Sequence, residues 1–302
     1  MMESREGGVS PEAARGFAQE LGGGWEALKR APRGVLLLVA LLVALYAPVV
    51  AEAAKIWVKD ENQAHGVFIF PISLFLLWML RREIRAAKPQ PTTLGVWLLG
   101  FGLLIQTASW VLGIKWFPML SLIPVIAGTV LALHGKNLWK VVAFPVCFLF
   151  FAAPMPDIII LPLSTEVQNQ STTGSVILMS SLGYPLIQTG NRIDTPTISV
   201  EVAEVCSGFK KLTALVAFAF LYGYVFNVSL WKRAVLVLAA YPIALLANII
   251  RICALIFIGS AWGQHALEGA HDWAELSVLV ISFGLFVLLG RILGCRELRF
   301  AL

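Results

Sequence analysis

Apolar residues in this chain come in long runs, and about eight of those runs approach the ~20 residues a helix needs to cross a bilayer. They cover 35–52, 66–80, 94–112, 117–133, 138–156, 207–226, 234–258 and 273–290, with short polar or basic segments between them. The pattern leaves little choice of fold. In hydrocarbon every backbone N–H and C=O must be satisfied within the structure, and helices do this within the segment. Composition agrees: of 302 residues 58% are hydrophobic and 14% charged, with a mean hydropathy of +0.80. That balance excludes a soluble globular domain. The expected fold is an all-α polytopic membrane protein of about eight transmembrane helices with one large outer, periplasmic loop.

The outer loop is expected over 157–205. It holds Pro156, Pro162, Pro185 and Pro196 at or within its bounds, many Ser and Thr, and one apolar stretch, Val176–Leu186. That stretch is too short to span, so an interfacial or re-entrant segment is expected. Apolar and polar residues alternate over Asn191–Val202, which predicts a short extended segment. Residues 1–33 are polar and mixed in charge, without an interpretable motif or a cleavable signal peptide, and read as a cytoplasmic N-terminal tail. The transmembrane domain then occupies 34–292 and a cytoplasmic C-terminal tail 293–302.

Basic residues set the orientation. With the N-terminus inside, sixteen of the 23 Lys and Arg fall on the cytoplasmic side. Only Lys55, Lys59, Lys115 and Arg192 fall outside, and Lys210, Lys211 and Arg251 lie within spans. This is the positive-inside asymmetry. It implies a multi-pass inner-membrane protein with both termini cytoplasmic, and it accounts for the net charge of +5 without a nucleic-acid partner. The chain shows no internal repeat of the kind transporters carry.

The four cysteines, Cys147, Cys206, Cys253 and Cys295, form no CxxC pair and no metal-ligand spacing with histidine, so neither a metal nor a cofactor is expected. Cys147, Cys253 and Cys295 lie in or beside apolar runs and read as fillers. Cys206 differs. It opens an apolar helix within Glu201-Val-Ala-Glu-Val-Cys206-Ser-Gly-Phe-Lys-Lys-Leu212, where the helix dipole favours a thiolate. Ser207 and Gly208 follow it, Gly208 allowing close backbone approach, and Lys210 stands one turn on. Arg251, in Asn248-Ile-Ile-Arg251, is a cation in an apolar helix, costly unless paired or functional. It keeps its proton and suits a carbonyl oxygen that gains negative charge. Asn248 shares its face and is placed to orient it.

For the histidine, His265 and His271 both fall in the outer loop before the last helix. His271 is preferred because the helix that follows fixes its height. His65 lies on the same outer side, His134 on the inner. Counting along the helices from the charge-derived orientation brings Cys206, Arg251 and these histidines to similar depth under the outer surface. Glu204, two residues before the thiol, is a candidate for orienting a cation or shaping the entrance. Thiol, guanidinium and imidazole together suit acyl transfer.

Several stretches carry a resemblance to a known family: Asp60–Gly66, Phe144–Pro156, Gly183-Tyr-Pro, Val202–Leu212, Asn248–Ile252 and His271-Asp272. In this order, over roughly 35–292, the chain resembles the exosortases, membrane transpeptidases that process proteins bearing C-terminal PEP-CTERM signals. The resemblance implies that Cys206, Arg251 and His271 form the catalytic set. The family commonly has glycine four residues after its histidine; Gly269 stands there for His265 and Glu275 for His271, so both histidines stay open. It further implies substrates with a Pro-Glu-Pro segment, a transmembrane helix and a basic tail, transfer through a thioester to an unnamed acceptor, and a link to protein export, surface sorting and exopolysaccharide. Lys210 and Glu204 are candidates for reading substrate charges. Two rivals remain: a simple intramembrane cysteine endopeptidase, and a transporter or structural membrane protein with Arg251 as counter-ion. Against the second stands the lack of repeats and of interrupted, acid-bearing helices.

Overall fold

A computed structural model of the chain describes residues 33–60, 63–114, 116–202 and 209–299. The expected N-terminal tail, apart from Arg33, lies outside them, as does the end of the C-terminal tail. By internal contacts the chain divides into two units, residues 1–51 and 52–302; the candidate site and the elements that build it belong to the second.

The described residues are dominated by helices. In order these are α1 (Arg33–Lys59), α2 (Gly66–Met79), α3 (Arg81–Ala86), α4 (Thr93–Leu112), α5 (Phe117–Leu133) and α6 (Lys136–Phe148). A short 3-10 turn, Leu149–Ala152, leads to α7 (Asp157–Ser181). Three strands follow, β1 (Ile187–Thr189), β2 (Arg192–Asp194) and β3 (Ser199–Glu201), and then α8 (Phe209–Val225), α9 (Leu230–Trp262) and α10 (Gln264–Ile292).

Each apolar run falls on a helix, but among the described residues only three helices, α1, α4 and α9, are long and apolar enough to cross a membrane alone. A fourth crossing arises if α6 with its 3-10 turn is joined to α7, from which it is bent by 79°. The other apolar stretches among the described residues, Gly66–Met79, Phe117–Leu133, Leu212–Val225 and Leu276–Ile292, are shorter. α2, for example, has 14 residues, about 21 Å at 1.5 Å per residue, against a hydrocarbon core of about 30 Å.

α4 is turned inside out relative to a helix of a soluble protein. α4 buries Gly95, Gly102, Gln106 and Ser109 and exposes Trp97, Phe101, Leu104, Trp110 and Val111. Small residues let backbones meet: a Cβ on Gly128 of α5 would lie 2.3 Å from the Leu99 nitrogen of α4. Ser121 donates to the Gln106 carbonyl oxygen between the two helices (3.0 Å). Small residues inside, a paired polar contact and large apolar residues outside are what lipid as solvent selects.

The segment expected as an outer loop is the largest departure. Residues 157–181 form one 25-residue helix, and the stretch Val176–Leu186 is its last turns plus the turn beyond. Its Ser and Thr hydroxyls do not break the helix. They donate back to carbonyls one turn earlier, Thr165 to Leu161, Ser171 to Val167, Thr172 to Gln168 and Ser175 to Ser171. Pro162 sits in the second turn, where it removes a single ladder bond. The face formed by Ser164, Gln168, Ser171, Thr172, Ser175 and Met179 is buried and packs on α9, where Ser175 donates to the Ile249 carbonyl (3.4 Å) and Tyr241 to the Gln170 carbonyl oxygen (2.6 Å).

The expected extended segment is present as the antiparallel sheet β1-β2-β3, with Gln188 opposite Ile193 and Ile193 opposite Val200. A two-residue turn joins β1 to β2, with Gly190 at its first position (φ 62°), where that sign of φ favours glycine. Ile193, Ile198, Val200 and Val202 put their side chains into one cluster with Ile252, Leu255 and Ile256 of α9 and Leu267 of α10. A second cluster joins α8, α9 and α10 through Leu215, Ala219, Leu236, Ala240 and Phe286.

Candidate active site

Arg251 lies in the last third of α9 and is 3% exposed; Asn248, one turn earlier on the same face, is fully buried. α7 holds this stretch of α9 on both sides of the arginine, through Ser175 to Ile249 and through Cys253, whose thiol donates to the Ser175 carbonyl (3.8 Å). The Asn248 amide has no hydrogen-bond partner among the described residues, on either its oxygen or its nitrogen. An unmet buried amide costs about 1–3 kcal/mol.

Glu204, Cys206, Ser207 and Gly208 lie outside the described residues, and the backbone alone places Lys210, second residue of α8. What leads to the cysteine is held tightly. Val202 donates its N–H to the Asn191 carbonyl (2.9 Å) and accepts on its own carbonyl from the Gln168 amide of α7. Its side chain enters the cluster that contains Ile252, the neighbour of Arg251, and against which Ala270, the neighbour of His271, packs. Three separated parts of the sequence, those leading to Cys206, Arg251 and His271, therefore meet in one cluster.

The histidines were expected in a loop ahead of the last helix. Both instead lie within α10, which starts at Gln264 directly after Gly263 (φ 86°). Gly263 makes the one-residue corner between α9 and α10. A Cβ on Gly259 would lie 3.5 Å from the Leu267 Cβ, which fixes the register across the corner. Measured along the helix axes from Gly263, Arg251 is about 18 Å down α9, position 271 about 12 Å down α10 and His265 about 3 Å down it. Periodicity separates the histidines again. Leu267 and Val278 are buried and Ala270 and Ala274 partly so, and position 271 falls on their stripe at 100° per residue. His265 falls on the opposite side and is exposed. The side chain of His271 is outside what the structure describes.

His65 caps α2. It lines a cavity of about 190 Å³ together with Trp57, Gln63, Phe151, Leu163 and the α8 residues Leu212 and Thr213. Gln168, which fixes the approach to the site through Val202, did not stand out in the sequence. For Gln168 a signal existed: Ser164, Gln168, Ser171 and Ser175 recur at helical spacing in a segment whose prolines suggested a loop.

A family model described as transmembrane exosortase matches residues 57–290, more than half of the chain. The chain belongs to the transmembrane exosortase family. The matched span contains Cys206, Arg251, His265 and His271, and membership implies a membrane sorting transpeptidase. No curated protein and no solved structure gives a significant match to this exosortase.

Proposed function

We propose that the chain is a membrane cysteine transpeptidase that cleaves PEP-CTERM-type sorting signals at the outer face of the inner membrane and passes the protein through a thioester to an acceptor. The observation that supports this is that Val202, Ile252 and Ala270, which lie near Cys206, Arg251 and His271 in sequence, share one cluster, beside a buried cation and a buried amide unpaired among the described residues. Eight crossings with both termini cytoplasmic would put that cluster near the outer surface.

The Cys206 thiolate, favoured by the N-terminus of α8, attacks the scissile carbonyl carbon. Arg251 takes up the charge that develops on the carbonyl oxygen, and the Asn248 amide supplies a second donor for it or for the adjoining peptide. The C–N bond breaks, the departing amine receives a proton from His271, and an S-acyl thioester remains on Cys206. An acceptor amine or hydroxyl then attacks the thioester and gives its proton to His271. The C–S bond breaks and the thiolate returns. Water in place of the acceptor yields a free acid. Glu204, Ser207, Gly208 and Lys210 flank the thiol and would shape the entrance. His271 is preferred to His265 because its position is within about 6 Å of the Arg251 level and on the core-facing stripe, whereas His265 is about 15 Å away and exposed.

The test is co-expression with a reporter that ends in a Pro-Glu-Pro segment, an apolar helix and a basic tail. Cys206→Ala and His271→Ala should abolish processing and His265→Ala should retain it. Normal processing in Cys206→Ala would sink the thiol mechanism. Weighing the product released from a trapped thioester separates transfer from hydrolysis.

A further inference from the structure

Two of the stretches that mark the family, Asp60–Gly66 and Phe144–Pro156, have no part in the chemistry above. In the fold they meet each other. The Trp57 indole donates to the Ala152 carbonyl (3.0 Å), and the Met155 N–H donates to the Gln63 carbonyl oxygen (2.8 Å). The Gln63 amide in turn donates to Asp60 (2.7 Å). These bonds clamp the connection after α1 to the chain between α6 and α7. Between the clamp and the first two turns of α8 lies the cavity of about 190 Å³. That is roughly six times the ~30 Å³ a water molecule occupies in the liquid, enough for one large or two small side chains. Its walls are mainly apolar, Phe151, Leu163, Leu212 and Val216 among them, with Gln63, His65 and Thr213 as the polar members.

Position along α8 tells what enters. Leu212 and Val216 lie about 5 and 10 Å beyond Phe209, farther along the helix than Cys206, which precedes it. A substrate that presents its scissile peptide to Cys206 and continues into the bilayer therefore runs its leaving portion past this opening. We propose that the cavity is a specificity pocket for the first apolar side chain of the substrate's membrane segment, on the C-terminal side of the scissile bond. The pocket thus reads where the substrate's helix begins and sets the distance from that point to the bond cut. The inference rests on the proposed cysteine chemistry at Cys206.

The experiment uses full-length protein and a reporter series that carries Ala, Leu, Phe or Trp at that first apolar position. Ala153→Leu fills the pocket and Leu163→Ala enlarges it; Ala153 and Leu163 are both lining residues. Ala153→Leu should lower processing of the Phe reporter relative to the Ala reporter by about ten-fold, since one or two methylenes in an apolar pocket discriminate at that level. Leu163→Ala should move the ratio the other way for Trp. Ratios equal to wild type in both variants overturn the pocket. If a variant processes nothing, photocrosslinking decides. A benzoylphenylalanine at the same reporter position, with the inactive Cys206→Ser protein, should attach to peptides containing Leu163 or Leu212, and attachment elsewhere overturns the pocket. Normal processing of the whole series by Cys206→Ala would instead bring down the cysteine chemistry itself, leaving the crosslink to report on binding.

Discussion

Asn248 carries a fully buried amide that meets no partner among the described residues, and its variants separate stability from function. Asn248→Leu replaces the amide with an apolar group of similar volume. It should keep or raise the unfolding temperature in detergent, because a desolvation penalty of about 1–3 kcal/mol is removed, while reporter processing falls. A drop in both together would make the amide structural. Asp194 answers a different question. It accepts from the Ser199 hydroxyl and from the Arg192 guanidinium (2.8 Å), and these bonds, Ser199 first, hold its carboxyl below the usual carboxylate range. A lowered carboxylate contributes stability that is fully present above its ordinary pKa of about 3.9 and is lost as pH falls through the lower folded value. Exchange protection in β2 and β3 should be flat from pH 7 to about pH 5, weaken below about pH 4, and lose that acid response in Asp194→Asn. Arg251 was legible in the sequence because a guanidinium in an apolar run is conspicuous. The state of Asn248 was not, since burial without a partner is a property of packing and leaves no mark on composition.

α7 shows what a hydroxyl-rich sequence hides. Its prolines and hydroxyls spell a loop in water, but hydroxyls that donate back to the previous turn need no water, and the buried stripe from Ser164 to Met179 keeps helical period. The alternation over Asn191–Val202 was easier to read, because β-branched residues at every second position are the signature of a strand with one buried face. The inside-out character of α7 makes a direct prediction. Ser171→Leu, at a fully buried position, should overpack the contact with α9 and lower stability by about 1–3 kcal/mol. Ile177→Leu, on an exposed position, should be neutral in the same thermal unfolding measurement. The corner at Gly263 matters in another way. It turned a preference for His271 argued from a loop into one argued from register, since both histidines ride on one helix.

At the scale of the whole molecule, apolar runs foretold where most of the helices are, α7 excepted, but not how many of them cross. Among the described residues length and composition qualify three, or four with the bent pair; the rest depend on tilt and on neighbours, which no run length records. Labelling decides the count. In a cysteine-free background, an impermeant maleimide given to cells with a permeabilised outer membrane should label Thr189→Cys and spare Lys88→Cys. Equal labelling would overturn eight crossings with inner termini. The inward-facing hydroxyls of α7 also bear on how the protein is made. The helix that covers them, α9, leaves the ribosome only after α7, the three strands and α8. Until then the face of Ser164, Gln168, Ser171, Thr172 and Ser175 lacks the helix that buries it. A chain cut short before Leu230 keeps that face uncovered, and its fate passes from the folding equilibrium to the proteases that patrol the membrane.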